Sequence, residues 1–277
     1  MDCKLQEMKE AKTISEWVEQ RLYRGYYTFT FPDVKVHFSS MSETYIKTAI
    51  NRLVKAHKII SPAKGFYVIV PVEYVLSGIV PATFYIEQMM SYLSRDYYIA
   101  LLNASAFYGA AHQRPQTFSI VHNGGNIKNG VRAGIQYQFL KQKTIDGTFI
   151  RKHKSKLGTI NVSSPELTAL DLIEHSSSIG GLNRACSVLE ELIESVDFKG
   201  IGNGFFSIYG VPTYQRLGYV LEEVLDASEQ ADILYDRLRA LKKTVRAIPL
   251  KAGKSSNESE LNKRWKVYIN HIIEIDE

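Results

Sequence analysis

The residues best suited to contact another macromolecule lie on one face of a predicted helix between Ser40 and Lys58. At about 100° per residue, the side opposite the apolar Ile46, Ile50 and Leu53 carries hydroxyl, amide and basic groups. Such groups can contact base edges and phosphates in a major groove. We expect bases to be contacted by Met41, Thr44, Tyr45 and Thr48, and phosphates by Lys47, Asn51, Arg52, Lys55 and Lys64. The alternative is a protein-binding module whose third helix is solvated.

A second concentration of charge lies in residues 126–157, which hold eight basic residues and one acidic residue. Clustered cations favour binding to polyanions because they release counterions from phosphates. The candidate patch consists of Lys141, Lys143, Arg151, Lys152, Lys154 and Lys156. A solvated loop face explains the same residues equally well, and charge alone leaves both interpretations open.

Catalytic patterns are weak by comparison. The glycine pairs at 124–125 and around Asn203 lack the Gly-Lys-Ser/Thr of a P-loop, and no two histidines have metal-ligand spacing. Glu166 and Asp171 fit charge pairing or helix capping. Ser105 has no Gly-x-Ser-x-Gly elbow around it. We therefore assign no catalytic residue, metal ligand or cofactor, and expect a protein that is not an enzyme.

The elements that must position the amino-terminal face follow from capping and periodicity. Capping boxes at Thr13–Glu16 and Ser40–Glu43 each begin a predicted amphipathic helix, and a short element with Pro32 in its first turn lies between them. Two β-branched and aromatic runs, 59–61 and 66–70, predict a hairpin with Lys64 near its tip. Three helices and a hairpin indicate a winged helix-turn-helix domain over residues 1–75.

The rest of the chain, residues 76–277, alternates helical and strand patterns, which predicts a mixed α/β (α+β) domain with a helical carboxy-terminal part. Helices are expected over 84–93, 99–108, 182–194, 211–225 and 232–241, and one begins after Ser164. Strands are expected at 117–121, 135–140, 148–151 and 157–162, the first of these being the first strand of the sheet.

Composition limits the protein class. The 277 residues are 45% hydrophobic and 23% charged, with a formal charge of +5, which excludes disordered and disulfide-rich classes. The longest uncharged runs are too short to span a membrane, and residues 1–7 do not resemble a secretion signal. The two cysteines, Cys3 and Cys186, are expected to be reduced thiols. We expect a cytoplasmic protein with no membrane association.

Several phrases together resemble a known family: YIALLNASAFYGAAHQRPQ at 98–116, SPELTALDLI at 164–173, GGLNRA at 180–185, and a tail running from IPLKAGK to RWKVYIN at 248–270. With the predicted winged helix, the sequence resembles the AbiEi family, antitoxins and transcriptional regulators of type IV toxin–antitoxin (abortive infection, phage defence) operons. The tail departs from the family at 255–260, where family members often carry prolines and arginines.

The resemblance implies a repressor whose winged helix binds inverted repeats in its own promoter, joined to a domain required for antitoxicity. The implied functional partner is a nucleotidyltransferase-like toxin, countered without a stable complex. We expect a monomer in solution that binds DNA cooperatively. Candidate antitoxin-surface residues are His112, Gln113, Arg114, Gln116, Arg264 and Lys266, whereas Trp265 is expected in the core. The alternative is a nuclease-like or other DNA-acting enzyme delivered by the winged helix.

Overall fold

The computed structural model describes residues 11–110 and 115–275. The chain divides into two compact units. The first comprises residues up to Asp96 together with Lys128–Tyr137 and Lys154–Ile160, and the second comprises Tyr97–Ile127, Gln138–His153 and the chain from Asn161 onward. The predicted domain boundary near residue 75 lies inside the first unit. Across the described ranges no helix is long and apolar enough to cross a membrane.

The first unit contains a small helical bundle against an antiparallel sheet. Its elements begin with α1 (Ile14–Tyr23), β1 (Thr28–Thr30), α2 (Phe31–His37), α3 (Glu43–Lys55), β2 (Ile59–Ala63) and β3 (Phe66–Ile69), followed by α4 (Ile86–Tyr92). The sheet order is β1-β3-β2, with both pairings antiparallel. The predicted hairpin is therefore confirmed, and β1 adds a strand that the sequence analysis did not predict.

Apolar burial holds α3 against this sheet. Ile46 and Ile50 are almost completely buried, and burying one such side chain contributes about 1.5–3 kcal/mol. Trp17 of α1 packs edge-to-face on Phe29 of β1, whose ring in turn stacks on Tyr67 of β3. The apolar side of α3 is thus committed to the core, which leaves its opposite side exposed.

The helix starts differ in detail from the predicted capping boxes. For α1 the prediction is correct in position, since the Thr13 side chain accepts a hydrogen bond from the Glu16 N–H. For α3 the box at Ser40–Glu43 is wrong: the N-cap is Ser42, whose hydroxyl accepts from the Tyr45 N–H. A reciprocal capping box does occur at Thr30 and Asp33, where α2 begins.

A six-stranded sheet has the strand order β6-β7-β5-β4-β9-β8. Its strands are β4 (Tyr97–Ile99), β5 (Thr117–His122), β6 (Gly130–Arg132), β7 (Ile135–Lys141), β8 (Ile150–Ser155) and β9 (Gly158–Ser163). Pairing of β4 is antiparallel to β5 and parallel to β9. The expectation of a helix from residue 99 is wrong at its start, because Tyr97–Ile99 is the central strand β4. The helix α5 (Leu101–Ser105) follows it.

Four longer helices of the second unit follow: α6 (Pro165–Glu174), α7 (Leu182–Leu192), α8 (Val211–Glu223) and α9 (Ser228–Ala240). Ser164 caps α6 and Pro165 is its first residue, as predicted. A small tail sheet, absent from the sequence prediction, consists of β10 (Ile248–Pro249), β11 (Leu261–Asn262) and β12 (Val267–Tyr268). Trp265 is only 1% exposed, which confirms its expected place in the core.

Candidate functional site

The outer face of α3 is a polar surface whose residues largely point into solvent. Tyr45 is 52% exposed, and the side chains of Thr44, Lys47, Thr48, Asn51, Arg52 and Lys55 are also exposed. Met41 differs, because it is half-buried and packs on the core of the first unit. The 13 residues of α3 make a helix about 20 Å long.

The cations on this face are not equivalent. Glu43 accepts hydrogen bonds from Lys35 Nζ at 2.8 Å and Lys47 Nζ at 3.3 Å, and these bonds lower the pKa of its carboxyl group. Within the described part of the chain, Arg52 and Lys55 have no ion pair or hydrogen bond to another side chain. Arg52 and Lys55 therefore have no counterion among the described residues, whereas Lys47 has an acidic neighbour.

Lys64 lies at the hairpin turn between β2 and β3, and its side chain is exposed. The turn is fixed from behind by Tyr92 of α4, whose hydroxyl donates to the Lys64 carbonyl at 3.3 Å. A Cβ on Gly65 would lie 2.6 Å from the Tyr92 hydroxyl, and Gly65 has φ +78°. The turn therefore requires glycine there, and the Lys64 side chain projects from a braced loop.

The basic patch predicted in residues 126–157 is distributed over separate strands. Lys141 ends β7 and Lys143 follows it, whereas Arg151 and Lys152 lie on β8. Three strands separate β7 from β8, so at about 4.8 Å per strand the two pairs are roughly 19 Å apart. In the first unit, Lys154 is exposed and Lys156 is paired with Glu73 at 2.9 Å.

The predicted antitoxin surface is only partly described. His112, Gln113 and Arg114 lie outside the described residues. Gln116 is exposed and lines a cavity in the second unit. Lys266 is exposed, whereas Arg264 is bound by the carboxylates of Glu222 and Asp232, which raises the pKa of its guanidinium group. Arg264 therefore stabilises the tail against α8 and α9.

A buried polar centre in the second unit was missed by the sequence analysis. Asp171 of α6 is fully buried, and its Oδ1 accepts hydrogen bonds from Tyr209 at 2.7 Å and Tyr98 at 3.4 Å. The Tyr98 hydroxyl also lies 3.1 Å from Gln142 Oε1. Among described atoms, Asp171 Oδ2 has no hydrogen-bond partner. The sequence expectation of charge pairing or capping for Asp171 is therefore wrong.

Burial dominates the acid–base properties of this centre. Desolvation raises the pKa of Asp171 to about 7, although the tyrosine hydrogen bonds act in the opposite direction. Burial also raises the pKa of Tyr98 and Tyr209, and lowers that of His175. Because Tyr209 donates to Asp171, the His175 Nε2 at 3.2 Å acts as the donor to the Tyr209 oxygen. The centre thus holds a carboxyl group that titrates near neutrality.

The other predicted acid, Glu166, accepts a hydrogen bond from the Asp197 N–H at 3.1 Å, so it fastens α6 to a following loop. Over the two described ranges, no three His, Cys, Asp or Glu side chains form a group that could hold a metal ion. Cys186 is buried, and burial raises the pKa of its thiol to about 12. Cys3 lies outside the described residues.

Comparison with known proteins identifies the second unit more specifically. Residues 98–223 match the family model described as the AbiEi antitoxin C-terminal domain. Among solved structures, the crystal structure of the RV2827C protein from Mycobacterium tuberculosis has a similar fold, with a TM-score of 0.63 and 14% identity. That similarity covers 91% of this chain and 89% of the other, and concerns the fold alone. None of the curated proteins matches this sequence significantly.

Proposed function

Because this chain belongs to the AbiEi antitoxin family through its domain at residues 98–223, we propose that it is the antitoxin of a type IV toxin–antitoxin system and the repressor of its own operon. The family match carries the antitoxin half of this proposal. The exposed, cation-bearing face of α3 carries the repressor half. The two activities reside in different units of the chain.

The repressor half rests on the arrangement of α1, α2, α3 and the hairpin, which fits a winged helix-turn-helix with α3 as its recognition helix. Thr44, Tyr45 and Thr48 near the start of α3 contact bases, while Arg52 and Lys55 neutralise phosphates. Met41 acts by packing α3 in place, because it is half-buried. The proposed target is duplex DNA with inverted repeats in the chain's own promoter, bound cooperatively by monomers.

The antitoxin half requires a toxin partner, and we propose a nucleotidyltransferase-like toxin encoded in the same operon. In this proposal the second unit counters the toxin without a stable complex, and the protein acts in the cytoplasm in abortive infection against phage. The chain itself performs no catalysis. Its buried polar centre at Asp171 maintains the domain that carries antitoxicity.

The decisive test is a gel shift of the purified chain on its own upstream DNA against a scrambled duplex of equal length, over a salt series. Specific binding with a steep salt dependence supports the repressor. Equal binding to both duplexes contradicts it and favours a DNA-acting enzyme with a nonspecific basic surface. No binding at low salt makes the amino-terminal unit a protein-docking module.

A variant sharpens this test. The double substitution Arg52→Ala and Lys55→Ala should weaken operator binding and reduce the slope of log affinity against log salt by about 1.8, because each phosphate contact contributes about 0.9. The matched control is Arg237→Ala with Arg239→Ala, which removes two positive charges from α9. In cells, the α3 variant should lose repression but still rescue growth from the toxin. Loss of rescue would contradict the division between the units.

A further inference from the structure

A cavity of about 240 Å³ in the second unit is lined by an arginine and by neutral polar groups. Arg184 lines it together with Gln116, Thr117, Ser178 and Gln138, and none of the described residues that line it is acidic. A site with this chemistry attracts an anion and offers hydrogen-bond donors around it without a competing negative charge. Gln116 is also one of the residues that the sequence analysis placed on the antitoxin surface.

The exposed Arg184 side chain lies beside Gly180. It lies in the first turn of α7, and a Cβ on Gly180 would come within 3.0 Å of its Cδ. Gly180 also has φ +109°, a conformation that favours glycine. The aliphatic stem of Arg184 therefore lies against a backbone position that favours glycine, and the residue lines the cavity.

The charge of Arg184 has no counterion among the described residues. Within residues 11–110 and 115–275, no ion pair or hydrogen bond involves its guanidinium group. Gln138 adds a donor, because its Oε1 is already engaged by the Ser119 hydroxyl at 3.0 Å and its amide NH₂ remains available. A planar guanidinium fork with amide and hydroxyl groups beside it suits the oxygens of a phosphate group.

A second cavity in the same unit has an acidic residue in its lining instead of a basic one. It has a volume of about 210 Å³, and Asp146 is the charged residue among the described residues that line it. These two cavities of similar size therefore differ in the sign of their charged lining residue. Of the two, the cavity of Arg184 is the one that favours an anion.

We propose that the Arg184 cavity binds the phosphate group of a small molecule, either free phosphate or a mononucleotide. Arg184 supplies the charge, and Gln116, Thr117 and Gln138 complete the hydrogen bonds. The cavity is larger than a bare oxyanion and slightly smaller than the 300–1,000 Å³ typical of sites for drug-sized ligands. This site goes beyond the antitoxin and repressor roles, and its test does not depend on either of them.

The test is calorimetric titration of the purified full chain with inorganic phosphate, with AMP and with adenosine as an uncharged control, at constant ionic strength. Phosphate or AMP should bind and raise the thermal midpoint, whereas adenosine should not. Tighter binding of AMP supports a nucleotide site, and equal binding supports a site for free phosphate. Equal binding of adenosine and AMP, or no binding of either anion, overturns the proposal.

Two pairs of variants locate the site. Arg184→Ala should weaken anion binding at least about tenfold, whereas Arg239→Ala on α9 should not. Gly180→Ala and Gly181→Ala impose similar backbone strain, since φ is +109° and +104°, but only the Gly180 methyl meets Arg184. Weaker binding in Gly180→Ala alone supports positioning of Arg184 by Gly180. If Arg184→Ala binds like the parent protein, the cavity is not the site, and circular dichroism of each unliganded variant establishes that it is folded.

Discussion

The α3 face and the Asp171 centre both concentrate polar residues, but they differ in how exposed these residues are and in how many partners they have within the protein. On α3 the polar side chains are exposed, and Arg52 and Lys55 are left without partners in the described structure. Around Asp171 the polar groups are buried or partly buried, and Asp171 Oδ1 is hydrogen-bonded to Tyr98 and Tyr209. Exposed polar groups are available to a partner and contribute little to folding, whereas buried ones must be satisfied internally. Substitutions should therefore separate binding from stability.

The largest expected effect tests the packing of the second unit. A Cβ on Gly218 in α8 would lie 2.1 Å from two ring carbons of the buried Trp265. Alanine normally stabilises a helix interior by about 1 kcal/mol relative to glycine. From helix propensity alone, Gly218→Ala would therefore raise the free energy of unfolding. Gly218→Ala should instead lower the free energy of unfolding by about 3 kcal/mol, because the helix and the tail must separate.

Urea unfolding measures this change, with Gly202→Ala as the control, because a Cβ at Gly202 meets nothing within 4 Å. The control should differ little from the parent protein. A Gly218→Ala variant as stable as the parent would show that the tail packs less tightly on α8 than this contact requires. Substitutions in the second unit and on the α3 face would then differ less in their effect on stability.

The second prediction concerns pH. The pKa of Asp171 is about 7 in the folded protein and about 4 in the unfolded chain. The Asp171 carboxyl group therefore binds its proton more tightly in the folded state. The contribution of Asp171 to stability should therefore be complete below pH 4 and decrease as pH rises toward 7, by on the order of 1 kcal/mol per pH unit at most, and then level off. Asp171→Asn has the shape of the protonated carboxyl and should remove this fall.

Chemical denaturation of both proteins across that pH range checks the prediction, with the exposed Asp236→Asn on α9 as a control that keeps the parent profile. The groups around Asp171 are Tyr98, Tyr209, His175 and Glu174. Burial raises the pKa of Tyr98 and Tyr209, so these hydroxyls stay protonated throughout the window. Burial lowers the pKa of His175 from 6.5, and the comparison with Asp171→Asn separates the titration of Asp171 from that of His175. An unchanged slope in Asp171→Asn would assign the fall to groups elsewhere.

The two regions also differ in how far the sequence predicts them. The α3 face follows from local rules, because a helical period and a serine cap depend on residues a few positions apart. The sequence analysis chose the box at Ser40–Glu43 over Ser42, and it grouped the half-buried Met41 with the residues of the exposed face. The Asp171 centre depends on contacts across 73 residues to Tyr98 and 38 residues to Tyr209. No local pattern distinguishes such a buried aspartate from a surface one.

The central strand β4 was misassigned for a related reason. The run from Tyr97 to Phe107 is apolar enough for a buried helix or a buried strand, and periodicity alone does not separate them. The antiparallel pairing with β5 and the parallel pairing with β9 decide that Tyr97–Ile99 is extended. The resemblance to the AbiEi family, by contrast, was found from phrases spread along the chain, and the match over residues 98–223 confirms it.

The last prediction concerns the ion pairs of Glu43 on the α3 face, and its expected effect is small. Glu43 holds Lys35 and Lys47, so it reduces the positive charge available to phosphates. Glu43→Gln should raise operator affinity about two- to fivefold and steepen its salt dependence, because both lysines are released. The matched control is Glu19→Gln on α1, which breaks the exposed pair with Lys58 outside the proposed DNA-contacting residues. An equal gain in both variants would reflect net charge alone, whereas a gain confined to Glu43→Gln would place Lys35 and Lys47 against the DNA backbone.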